Sequence, residues 1–149
     1  MSILYETDFY SWTLEQSKLL QRGDLQRLDI VNLVEEIESL GKQERRELEN
    51  RLGVLIGHLL KWNYQQEKRS KSWKATIREQ RKSIQRLINQ NPSLKPYVEE
   101  AIAHAHELGL ALVVKETPLD YSDLPTEPIY TIAQLLDLDF PTNLNDPHP

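Results

Sequence analysis

Leu48, Leu52, Leu55, Leu59 and Trp62 recur at steps of four, three, four and three residues. That spacing returns every side chain to one face of an α-helix, whereas a strand alternates its faces every second residue. It predicts a helix from Gln43 to about Asn63 with a buried stripe. Similar patterns run along the rest of the chain. Thr7 or Asp8 can cap a helix carrying Phe9, Trp12, Leu14 and Leu19, and Gly23 stands where a left-handed residue would end it. Asp29 can cap a second helix whose apolar positions are Ile30, Leu33, Val34, Ile37 and Leu40, with Gly41 expected to turn the chain so that helices two and three lie antiparallel.

A fourth helix is expected from about Ser72 as its cap to Gln90, with Trp73, Ile77, Ile84, Leu87 and Ile88 turned inward before Asn91-Pro92. Pro96 fits the first turn of a fifth helix to about Lys115, carrying Val98, Ala101, Ile102, Ala105, Leu108 and Leu112 toward the core. Prolines at 118, 125, 128, 141, 147 and 149 then allow only a short helix near Thr131 to Leu136. The expectation is all-α: a single-domain bundle of about five helices over residues 1–115, with a proline-rich segment, 116–149, packed over it. At 149 residues, one domain can bury roughly 68–70% of its unfolded surface without staples.

Composition removes several chemistries. With no cysteine there are no disulfides, thiolate metal sites or thiol nucleophiles. No apolar run approaches the ~20 residues that span a bilayer. The stretch Met1 to Glu6 lacks the basic and apolar regions of a signal peptide, so the chain reads as cytoplasmic with no membrane partner. No Gly-rich phosphate loop, serine elbow or HExxH motif is present.

Charge is distributed unevenly. Between Glu67 and Arg86 eight cations face two carboxylates, while the stretch from Glu116 onward holds seven carboxylates and no Lys or Arg. Opposite fields on one chain steer ligands or attract each other, so Arg78 and Arg81 can meet either an outside polyanion or the acidic tail.

Two runs carry a family likeness. His58-Leu59-Leu60-Lys61-Trp62-Asn63-Tyr64-Gln65 and Arg69-Ser70-Lys71-Ser72-Trp73-Lys74-Ala75-Thr76-Ile77-Arg78-Glu79-Gln80-Arg81, with Tyr5-Glu6-Thr7-Asp8-Phe9-Tyr10 before them and a Leu-Leu-Asp and Asp-Phe-Pro tail after, resemble the bacterial domain-of-unknown-function family numbered 29. Gln66 stands where the family often has proline, and Thr126 to Tyr130 replaces a segment that often carries Cys-Pro-Tyr. The resemblance implies an all-helical cytoplasmic protein and no particular biochemical role.

The candidate site is the basic and aromatic segment itself. Lys61, Arg69, Lys74, Arg78 and Arg81 are candidate anion contacts, and Trp62, Tyr64 and Trp73 candidate stacking surfaces, for a nucleic acid or other polyanion. Each has a structural counterpart: the rings as core plugs, the cations as a solvated face. The resulting expectation is a binding or assembly protein using a basic-aromatic patch. The alternative is a hydrolase directed at phosphodiesters or nucleotides, with His58 as general acid or base. Gly53-x-x-x-Gly57 permits a close helix crossing, within the chain or across a homodimer. Glu100, His104 and Glu107 share one helix face but point away from the core, so neither a metal nor a cofactor is expected.

Overall fold

A computed structural model describes residues 3–146, so prolines 147 and 149 lie outside the described residues. The fold is all-α, and no strand occurs among the described residues. Six α-helices follow in order among the described residues: α1 (Ile3–Thr7), α2 (Phe9–Arg22), α3 (Ile30–Tyr64), α4 (Lys71–Gln90), α5 (Val98–Glu116) and α6 (Ile132–Leu136). Two compact units are distinguished, Met1–Glu44 and Arg45–Pro149.

The expected turn at Gly41 does not form, and helices two and three are one helix of 35 residues. Gly41 has helical backbone, and its flanking Lys42, Gln43 and Glu44 favour helix, so the ~1 kcal/mol that glycine costs is absorbed without a break. Gly23 behaves differently. At φ 72° it closes α2, with its own N–H reaching Leu20 O and that of Asp24 reaching Leu19 O. At the other end of α2 the Asp8 carboxylate accepts from the Ser11 amide and hydroxyl.

In the first unit the packing face of α3 is polar. Trp12 is buried, and its Nε1 donates to Asp29, which also accepts from Asn32. The Tyr5 hydroxyl donates to Glu36, and the Asp29 amide to Gln16. Ile30, Val34, Ile37 and Leu40, expected inside, are instead exposed.

The second unit is built on the leucine stripe, which lies in one core with Ile77, Ile84, Ala101, Ala105 and Val113. Gly53 and Gly57 serve an approach within the chain: a Cβ on Gly53 would come within 2.8 Å of Leu108 Cβ, and one on Gly57 within 3.2 Å of Gly109 O. Ser70, two residues earlier than expected, caps α4 by accepting from the Trp73 amide. Pro96 lies in a 3-10 segment, Pro92–Tyr97, and α5 starts only at Val98. Thr131 and Gln134 form a reciprocal capping box that starts α6 where a short helix was expected. Leu124, Leu135 and Leu144 belong to the core, so the segment after Glu116 is part of it.

Candidate functional site

The end of α3 meets the start of α4 and the segment between them through Lys61, Trp62, Arg69 and Trp73. Trp62 is 1% exposed, and its Nε1 donates to Asn143. The Arg69 Nε donates to Trp62 O at 2.8 Å while its guanidinium lies 5.1 Å from the Trp62 ring centre. Lys61, also buried, donates to Glu116 at 2.6 Å and sits over the Trp73 ring. Of the candidate contacts, Trp62 and Lys61 are therefore both buried, Trp62 as a core plug on the leucine stripe and Lys61 between Glu116 and Trp73. Trp73 is half-buried, and Tyr64 remains exposed.

His58 is half-buried, and its Nδ1 lies 2.9 Å from Val54 O. A donating Nδ1–H leaves Nε2 with the lone pair of the neutral ring. Burial, then the nearby Lys61 cation, holds its pKa below the ordinary 6.5 against the opposing pull of the Val54 carbonyl and Glu116. Arg69 instead lines a cavity of about 240 Å³ with Trp62, Tyr130, Phe140 and Asn143. Burial raises the Tyr130 pKa, so its phenol stays protonated at neutral pH.

Farther along α4, Lys74, Arg78, Arg81 and Lys82 line a cavity of about 300 Å³ together with Leu138, Asp139, Leu144 and Asn145. Arg78 and Lys82 are exposed and Lys74 half-buried, whereas Arg81 is 2% exposed. The Arg81 Nε donates to Leu135 O at 2.8 Å and its Nη2 to Gln134 O at 3.1 Å. The basic helix and the acidic segment therefore do meet. They meet through carbonyl oxygens at the end of α6, where the helix dipole also favours a cation. Lys74, Arg78 and Lys82 form no ion pair among the described residues.

The family model described as domain of unknown function DUF29 matches residues 4–141. The chain belongs to this family. No curated protein and no solved structure matches it. The DUF29 match includes His58 and all four cavity cations and stops before Leu144 and Asn145.

Two polar anchors of this DUF29 chain escape sequence reasoning. His106 is 2% exposed, and its Nε2 lies 2.9 Å from Pro125 O. Its place beside Ala105 in the apolar run of α5 was the available signal. Asn143 receives Trp62 from 81 residues away, and nothing in the local pattern marks it. Glu100, His104 and Glu107 are exposed as expected, and no metal-binding group of side chains occurs among the described residues. The larger concavities of the first unit, about 590 and 420 Å³, carry both signs of charge through Glu15, Arg27, Asp29 and Lys18. No helix among the described residues is long and apolar enough to cross a membrane.

Proposed function

We propose that this protein is a binding and assembly protein that engages a polyanionic partner, nucleic acid, along the cationic edge of α4. The observation that carries the reading is the row Lys74, Arg78 and Lys82, free of ion pairs among the described residues and opening on one cavity. Cations in that state release counterions when they meet phosphates, which makes binding weaken with salt. The buried state of Trp62 argues for contact with the backbone over stacking on bases. Anisotropy of a fluorescein-labelled single-stranded 20-mer with a 5′-hydroxyl tests this. Binding at 50 mM salt should fall steeply by 150 mM, and Lys74→Gln should lower the slope of log K against log salt by about one. No binding, or binding insensitive to salt, rejects the reading.

The hydrolase alternative has less support. His58 lines neither cavity that holds Arg69, Arg78 or Arg81.

A second copy of the chain is the partner that best suits the first unit. Ile30, Leu33, Ile37 and Leu40 follow a three-four-three spacing, isoleucine at the a and leucine at the d positions, which favours two-stranded pairing. Ile30, Ile37 and Leu40 are each at least 60% exposed, beside buried Asn32 and Gln16. An apolar stripe open to water next to a polar interior needs a cover. Light scattering after size exclusion should give the mass of two chains for the parent and of one for Ile37→Glu. A monomeric parent removes the dimer.

A further inference from the structure

Arg81 keeps one set of donors unused. Its Nη1 is the one buried side-chain nitrogen or oxygen without a hydrogen-bond partner among the described residues. The guanidinium stays charged at neutral pH, and leaving a buried donor of a charged group unpaired is costly. Natural folds pair the great majority of their buried polar groups, so an exception calls for an explanation.

Arg81 lines a cavity with three further cations. Four positive charges stand against Asp139 in the cavity wall and Asp137, which acts on Arg81 through its field. The balance is about two positive charges. A carboxylate ligand would neutralise one of them; a phosphate monoester carries about −1.5 to −2 near neutral pH and offers three acceptor oxygens to divergent donors. The volume, about 300 Å³, is at the lower limit of ligand pockets, enough for a small molecule and too little for a folded strand. Asp139 can accept from a ligand hydroxyl, and Leu144 offers an apolar wall.

We propose that this cavity is a recognition site for the phosphate monoester group of a small hydroxylated molecule, with Arg81 in its inner wall and Lys74, Arg78 and Lys82 as its outer clamp. The proposal deepens the reading of α4 as an anion-facing edge and rests on it. Free inorganic phosphate and a sugar phosphate share the chemistry; the hydroxylated body distinguishes them.

The test is calorimetric titration of the full chain with ribose 5-phosphate, inorganic phosphate and ribose. Ribose 5-phosphate should bind saturably and more tightly than inorganic phosphate, and ribose should not bind. Arg78→Gln and Lys82→Gln should each weaken ribose 5-phosphate by about tenfold. Arg86→Gln, an exposed cation of the same helix outside the cavity, should leave it unchanged. Because replacing Arg81 endangers the fold, its part is read in the unmutated protein: with ¹⁵N-labelled arginine, the Arg81 guanidinium resonances should shift with ribose 5-phosphate and not with ribose. Absence of saturable binding, an unmoved Arg81 resonance, or equal weakening by Arg86→Gln overturns the site. Binding of the 20-mer without ribose 5-phosphate also overturns the cavity while the edge stands; the converse supports the cavity and removes the nucleic-acid partner.

Discussion

Burial of His58 ties the stability of the fold to pH. Its folded pKa is held down, chiefly by burial, so the unfolded chain takes up a proton that the folded chain resists. Its contribution to stability is therefore complete above about pH 6.5 and is lost as pH falls through the depressed folded value. Urea unfolding between pH 8 and 5 should show the parent losing stability more steeply than His58→Gln, by at most about 1.4 kcal/mol per pH unit, the limit for one proton. Parallel profiles would mean that His58 titrates alike in both states. Arg81 teaches something different about residues. Ile77 and Ile84 flank it at four and three positions, so it occupies a place in the apolar stripe of α4. The same spacing also aligns it with Lys74 and Arg78, and residue type then favours the solvated reading. What decides is a pair of carbonyls 53 and 54 residues away, which no local pattern encodes.

Among the elements, helix existence was readable almost throughout, and helix ends less so. Asp8, Gly23 and Thr131 act where their chemistry predicts. Gly41 does not, because a glycine ends a helix only when the following chain supports a left-handed turn, and Lys42 to Glu44 do not. Two glycine substitutions should consequently have opposite signs. Gly41→Ala adds a methyl with nothing within 4 Å and should stabilise by ~0.5–1 kcal/mol. Gly109→Ala on α5 sets its Cβ 2.9 Å from Ile56 Cγ2, 3.1 Å from Gly57 N and 3.2 Å from Gly53 O. Two of those neighbours are backbone and cannot swing away. Overpacking costs ~1–3 kcal/mol, which should outweigh the helix-propensity gain and lower the melting temperature seen by circular dichroism. The apolar stripe Ile30 to Leu40 has a complementary lesson: periodicity marks a face that seeks cover without saying which neighbour supplies it.

For the whole molecule, the charge asymmetry along the sequence resolves into contacts of unequal kind. Lys61 meets Glu116 directly, while Arg81, Trp62 and His106 reach the final segment through carbonyl or amide oxygens of Leu135, Gln134, Asn143 and Pro125. The all-helical class was legible because periodicity is local. The cavity of α4 was not, because half its wall comes from residues 138–145, whose course over the helices is set by side chains scattered across the chain. Main-chain oxygens do not titrate in the range where carboxylates gain protons, and every amino acid supplies one. The clasp on Arg81 is accordingly made by groups that carry no titrating proton, so acidification can discharge the carboxylates of the last segment while leaving these two hydrogen bonds in place.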